Sequence, residues 1–192
     1  DVTSVRGSVA YRNDRLVFLS TDINNLQYPN LYLHWGSARF EFVFDNTLNT
    51  GLNLYNGTRT KLFAEYYRQI DKEKTNLYIL GLDYRYYLKV HREIIWANRF
   101  AASTSFGDER LIYYMGGTDS WISPRFNTET PIDYSQNYVY QTVATNMRGF
   151  DQNIRNGNNF ALVNSEVRIP IVKYLFNRPI KSDFFRNFQI VG

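Results

Sequence analysis

The sequence predicts an all-β chain of antiparallel strands, with a transmembrane β-barrel as its architecture. Three observations carry this. Apolar and polar residues alternate with period two in run after run, as side chains on a strand do. The runs are about 10 to 13 residues long, against the five or six usual in globular proteins, and a tilted strand needs about 9 to 11 to cross a bilayer. Aromatic residues make up 17% of the chain, with 16 Tyr, 14 Phe and 3 Trp. Tyr and Trp gather where one end of a side chain is apolar and the other wet, as at a membrane interface.

Taken in order, residues 5–12 and 15–20 read as two strands, with Asn13-Asp14 as a two-residue hairpin turn, since both residues tolerate left-handed backbone. A polar loop, 21–30, leads to a long run, 31–45, whose second half alternates most clearly. Phe40, Phe42 and Phe44 share one face, and Arg39, Glu41 and Asp45 the other. After a loop at 46–57, the run 58–70 sets Leu62, Ala64 and Tyr66 against Lys61, Glu65 and Tyr67. Leu80, Leu82, Tyr84, Tyr86 and Leu88 in the run 77–88 oppose Gly81, Asp83 and Arg85. A short turn near Val90-His91-Arg92 precedes the run 93–106. Its apolar face carries Ile94, Trp96, Phe100, Ala102 and Phe106, and its other face is small or charged: Ala97, Arg99, Ala101, Ser103 and Ser105. A long polar and aromatic segment, 107–159, interrupts the series as a loop. In the run 160–171, Val163, Val167, Ile169 and Ile171 oppose Asn164, Glu166 and Arg168. A loop with Pro179 follows, then a short final run, 188–191.

The charged faces separate two barrel types. A small soluble barrel fills its interior with apolar side chains, because an unpaired buried charge costs several kcal/mol. Here each run pairs an apolar face fit for lipid with a charged face fit for a wet lumen, which favours the membrane barrel. A soluble sandwich or lipocalin-like barrel stays as the alternative. A hydrophobic fraction of 44% with a mean hydropathy of −0.43 fits alternation rather than apolar blocks. No run approaches the roughly 18 to 20 apolar residues of a membrane helix, so a helical membrane protein is excluded.

Cys is absent, which excludes disulfides and thiolate metal sites. The net charge of +4 is spread over 22 basic and 18 acidic residues, with no basic run beyond Lys72-Glu73-Lys74, so no nucleic-acid partner is indicated. His34 and His91 lack companions at ligand spacing, so neither a metal nor another cofactor is expected. No nucleophile elbow or phosphate-cradling loop appears, and Gly57-Thr58-Arg59-Thr60-Lys61 lacks the glycine spacing of a P-loop. Enzymatic activity is not expected. Connections near 13–14 and 89–93 are tight, and those at 21–30 and 107–159 are long. That parity is the outer-membrane pattern, with long loops outside; the loop at 46–57 fits it less well. The segment 107–159 is then extracellular.

Four motifs stand in order, at residues 45–59, 113–117, 147–150 and 164–170, and together they resemble the C-terminal barrel, or surface-antigen domain, of the outer-membrane assembly-factor superfamily (BamA, TamA and the two-partner-secretion transporters). Asp45-Asn46-Thr47 with Asn56-Gly57-Thr58-Arg59 resembles a family hairpin, with an acidic residue before it and Gly-(Ser/Thr)-Arg after it. Tyr113-Tyr114-Met115-Gly116-Gly117 resembles the aromatic-x-Gly-Gly stretch opening the large sixth extracellular loop. Met147-Arg148-Gly149-Phe150 resembles that loop's (Val/Ile)-Arg-Gly-(Phe/Tyr) signature. Asn164-Ser165-Glu166-Val167-Arg168-Ile169-Pro170 resembles the strand that follows. The likeness covers about residues 38 to 192. One departure stands out: residues 118–146 separate two features that are nearly adjacent in BamA, and they read as an insertion that caps the barrel or binds a partner.

The resemblance implies a bacterial outer-membrane protein that inserts or translocates other proteins without cofactor chemistry, using a weakly closed seam and local bilayer thinning. Its partners would be outer-membrane lipid, client outer-membrane or secreted proteins, and accessory assembly subunits. The loop carrying Met147, Arg148, Gly149 and Phe150 would fold into the lumen, where Arg148 pairs with acidic groups. Glu166, inward by alternation, is the first partner, since the planar fork of Arg suits a carboxylate. Gly149 would allow close approach and Phe150 would wedge the loop. A second acidic partner would lie on the next strand, which begins at Asn187. An open edge cannot stand in lipid, so the chain is expected to be one segment of a larger barrel of about 16 strands. A passive channel or a membrane anchor for another domain is the alternative role.

Overall fold

The computed structural model describes residues 2–16, 31–71, 73–118, 122–133, 135–147, 149–176 and 179–192. Antiparallel strands dominate. The principal sheet runs in the order β1 (Val2–Leu16), β2 (Leu31–Asp45), β4 (Leu54–Gln69), β5 (Asn76–His91), β6 (Ile94–Gly107), β10 (Asn159–Ile169) and β11 (Ile190–Val191). A short strand, β3 (Leu48–Gly51), pairs with the start of β4. Residues 107–159 hold a second sheet of β7 (Arg110–Met115), β8 (Tyr138–Val143) and β9 (Arg155–Gly157), in the order β8-β7-β9. Two short helices, α1 (Ile171–Leu175) and α2 (Asp183–Asn187), lie between β10 and β11. Among the described strands the principal sheet is open, with β1 at one edge and β11 beyond β10 at the other.

The period-two patterning holds across the sheet because the register is continuous. Val5, Phe42, Leu62, Leu82, Ala102 and Ala161 form one cross-strand row, and Gly7, Phe40, Ala64, Leu80, Thr104 and Asn159 the next. These side chains lie on the outer face, where Phe40, Leu62, Leu80 and Val163 remain exposed. Aromatic rings border this band. Tyr66, Tyr78 and Phe106 stack in a row at one end, with centroids 4.9 and 5.4 Å apart; Tyr84, Tyr86 and Trp96 lie towards the other. Tyr78 and Leu88 are ten positions apart on β5, about 33 Å along a strand.

Charges collect on the opposite, inner face and are paired across strands. Glu41 accepts ion pairs from Lys61 at 2.9 Å and Arg39 at 3.0 Å, with Arg6 at 3.8 Å. Arg39 also reaches Glu65, its register partner on β4, at 3.0 Å. Asp83 holds Arg85 at 2.9 Å and Arg99 at 2.5 Å.

Two expectations are corrected. Asn13-Asp14 is not a turn: both continue the ladder, opposite His34 and Leu33. Turn propensity is a local preference, and here a full-length partner strand supplies hydrogen bonds that outweigh it. Of the expected run 15–20, Arg15 and Leu16 end β1, while residues 17–30, which hold the rest of that run and its following loop, lie outside the described residues. The loop 46–57 is also largely structured, because β3 folds back on Leu54, Tyr55 and Asn56. With Asn13-Asp14 removed, connections 46–53 and 92–93 share one end of the sheet, and 70–75 and 108–158 share the other.

The hairpin motif is a single structural unit. Asp45 and Arg59 are register partners, with Arg59 Nε 3.5 Å from Asp45 Oδ2. Asp45 Oδ1 also accepts the Thr47 hydroxyl at 2.6 Å and the Thr47 N–H at 3.0 Å. Gly57 takes φ +117°, and a Cβ there would stand 2.7 Å from the Asn46 carbonyl oxygen. The bend that brings Asp45 to Arg59 therefore requires glycine at 57. Gly57→Ala should destabilise the folded chain by about 1–3 kcal/mol, seen as a lower urea midpoint for conversion of the folded, fast-migrating form on unheated gels; an unchanged midpoint would show that the bend tolerates a side chain.

Candidate functional site: the loop-covered inner face

The inner face of β6 is built of small residues, and this is what admits the long loop. Ala97, Ala101, Ser103 and Ser105 are all buried. Ser103 Oγ lies 2.9 Å from the Tyr113 hydroxyl, and Ser105 Oγ accepts the Leu111 N–H at 3.0 Å. β7 thus lies along the inner side of the wall. Leu111 and Tyr113 join Leu77 and Ile79 in a buried cluster, with Phe63, Tyr67, Val139, Tyr140 and Phe160 packed around it. The loop residues therefore supply core at one end of the inner face rather than standing out in solvent.

β8 extends the contact to the far strands. Arg12 on β1 has its guanidinium 5.1 Å from the Tyr140 ring centre, 5.8 Å from Trp35 and 6.0 Å from Tyr67. Such cation–π contacts are each worth about 0.5–2 kcal/mol. Within the stretch read as an insertion, Tyr140 accordingly meets β1 at Arg12 and β4 at Tyr67.

The two loop motifs meet. Gly117 and Met147 form an antiparallel bridge: Met147 N–H donates to Gly117 O at 2.8 Å, and Gly117 N–H donates to Phe150 O at 2.8 Å. Residues 118–146 leave and return at one point, so motifs far apart in sequence are adjacent in space. Glycine is required at the junction. Gly116 has φ +110°, and a Cβ there would stand 2.0 Å from the Asp151 carbonyl oxygen; Gly117 has φ +78° and lies against Gln152.

Below this junction is a cavity of about 690 Å³ between loop and wall. Met147 and Phe150 line it from the loop, and Arg85, Arg99, Glu166 and Arg168 from the wall. Arg148 lies outside the described residues, so its expected bond to Glu166 is not among the described contacts. Glu166 does face the loop-covered side, as alternation predicts, and Arg168 reaches it at 3.0 Å from two residues along the same strand. Gly149 has φ +84° with open space around it, so its need for glycine is conformational rather than steric. Phe150 is 45% exposed, which places it at the cavity rim rather than as a tight wedge.

The far end of the inner face is closed differently. Arg168 Nη1 donates to Asn53 O at 2.6 Å and Gln189 Nε2 to Leu52 O at 3.4 Å, so the β3–β4 turn reaches across to β10 and β11. Sequence reasoning identified Glu166 but missed Arg168, Asp83, Arg85 and Arg99 as members of the site. Their signal was present as alternating charges two residues apart, Asp83/Arg85 and Glu166/Arg168. The cross-strand pair Asp83–Arg99 needed the register. Among the described residues, no three His, Asp or Glu side chains converge to hold a metal.

Comparison of the chain with protein-family models, with curated proteins and with solved structures finds no match.

Burial pushes the phenols of Tyr113 and Tyr140 above the usual value near 10. The packed loop favours the neutral phenol, so this stabilisation is full below pH about 10 and is lost as pH rises through the raised values. In a near-ultraviolet titration, Tyr113→Phe and Tyr140→Phe should each remove one of the late-ionising phenols; ionisation of both with the bulk tyrosines would refute the packing. Gly116→Ala should open the junction, giving faster chymotrypsin cleavage within 107–159 while the wall stays protected. Cleavage at the parent rate would show that the junction is not held by Gly116.

Proposed function

We propose that the chain is a wall segment of an outer-membrane β-barrel of the assembly-factor superfamily, mediating insertion or translocation of proteins at the bacterial outer membrane. The observation that carries this reading is the joining of Gly117 to Met147 over an inner face bearing Glu166. It sets the aromatic-x-Gly-Gly and Arg-Gly-Phe motifs side by side, as the family resemblance requires. Two further features support a membrane position. The outer face is an apolar band bordered by aromatic rings, and the ten positions from Tyr78 to Leu88, about 33 Å along the strand, would span about 25 Å at the tilt of about 40° usual in a lipid-facing barrel. The inner face is charged and ion-paired, as suits a polar lumen.

The work proposed needs no bond-making by the protein. A barrel lowers the barrier to strand insertion by thinning and disordering the adjacent bilayer, and by offering edge hydrogen bonds that an incoming strand lacks in lipid. The loop braces the wall: the buried Tyr113–Leu111 cluster and the Arg12–Tyr140 contact tie strands at both sides of the inner face to one element. Arg148, between Met147 and Gly149, is the cation that would add a charge-assisted bond to Glu166.

A passive channel is the second reading, and the net positive balance of the inner face favours it. Arg6, Arg39, Arg59, Lys61, Arg85, Arg99 and Arg168 oppose Glu41, Glu65, Asp45, Asp83 and Glu166. Reconstitution of the parent protein into vesicles separates the two. Faster folding of an added, urea-unfolded outer-membrane client supports assembly, whereas anion-selective conductance with no effect on the client supports the channel. Arg148→Ala should lower stability by about 3–5 kcal/mol if Arg148 forms a buried pair with Glu166, read as earlier loss of the heat-modifiable folded band. Full client folding and unchanged gel mobility in this variant would sink the bracing role.

A further inference from the structure

The chain between β10 and β11 carries side chains that the wall and the loop do not use. α1 and α2 bury none of their residues. Leu175, Phe176, Phe184, Phe185 and Phe188 are each between 47% and 70% exposed. Phe184 lies with its ring centre 5.4 Å from Phe185 and 6.0 Å from Phe188, so the three rings form one open patch. Burying a phenylalanine is favourable, and three left in water would make a sticky surface.

Position and charge say what covers them. Ile190 pairs with Ile169, which shares the outer face of β10 with Val163 and Val167. Phe188, two residues earlier in extended chain, continues that face past the end of the strand. The patch therefore prolongs the outer apolar band at the end of the sheet opposite the long loop. The same stretch of sequence is basic. Residues 171–188 contain Lys173, Arg178, Lys181 and Arg186 against a single acidic residue, Asp183, which Arg186 already pairs. Exposed phenylalanine and leucine interspersed with lysine and arginine is the composition of a segment lying in a membrane interface, where basic residues are drawn to anionic lipid.

We infer that residues 171–176 and 179–190 form an interfacial foot. Phe184, Phe185 and Phe188 enter the acyl region of the adjacent phospholipid leaflet, and Lys173, Lys181 and Arg186 rest on its anionic head groups. The foot fixes how deep this end of the wall sits, because sinking would bury its charges and rising would expose its rings. The inference rests on the membrane-spanning reading of the wall. A protein partner would use the same rings, but the continuity with the outer band and the excess of basic side chains favour lipid.

These 192 residues contain no Cys, so a single introduced Cys labels this part of the protein at one site. Phe185→Cys, Phe184→Cys and Leu80→Cys each take one nitroxide label, with folding checked by gel mobility. The parent protein carrying each label is placed in phosphatidylcholine vesicles, with and without phosphatidylglycerol. Accessibility to oxygen, which concentrates in lipid, is compared with accessibility to a water-soluble nickel chelate. The labels at 184 and 185 should favour oxygen, at shallower depth than the label at 80. Adding phosphatidylglycerol should reduce their nickel accessibility by about twofold. An oxygen-favouring label at 80 with nickel-favouring labels at 184 and 185 overturns the foot and leaves the wall reading standing. Labels at 184 and 185 shielded from both reagents mean a protein cover and also overturn it. A nickel-favouring label at 80 overturns the wall reading itself, and the foot with it.

Discussion

A charge on the inner face of this sheet stands only if another charge meets it. Glu41 is 9% exposed and lies among Lys61, Arg39 and Arg6. Removing one partner of such a set leaves a desolvated charge, which costs several kcal/mol, whereas the intact set roughly breaks even against apolar packing. The network therefore specifies more than it stabilises. Arg39 meets Glu65 only when β2 and β4 are in their observed register, and Asp83 meets Arg99 only when β5 and β6 are in theirs. A slip of one residue would put every one of these charges on the apolar outer face.

That register also decides where the loop goes. With β5 and β6 aligned, Gly81 admits the Phe63 ring, and the small side chains Ala101, Ser103 and Ser105 stand together on the inner face beside the larger ion-paired groups. β7 occupies the resulting space, and its Tyr113 and Leu111 replace what would otherwise be solvent. The inner face thus has an apolar, loop-filled end and a polar, ion-paired middle. The β3–β4 turn reaches across the remaining end. The Gly117–Met147 bridge joins these parts at the boundary between the apolar end and the cavity.

Much of the wall was legible in the sequence, because a strand's two faces are separated by a period that tertiary contacts do not alter. The faces of residues 39–45, 61–67, 80–88, 94–106 and 163–168 follow from counting in twos, and the inward direction of Glu166 came with them. Local turn chemistry was less dependable. Asn13-Asp14 resembles a hairpin turn, yet a paired ladder outweighs a preference worth a fraction of one hydrogen bond. The loop was least legible of all, since its strands are short, one pair is parallel, and their partners lie far apart in sequence.

By itself, then, the sequence determined that the chain would be antiparallel β, which residues of each long strand share a face, and that glycines would cluster at 116–117 beside aromatic residues. Only the tertiary structure decided that β7 and β8 pack against the inner wall, that Tyr140 meets Arg12, and that Gly117 meets Met147. The physical reason is the same in each case. Alternation is encoded between neighbours two residues apart, while a loop's resting place depends on the vacant volume left by side chains of other strands. Here that volume is the absence of bulk at Ala101, Ser103 and Ser105, a property no single strand reveals until its neighbours are in register.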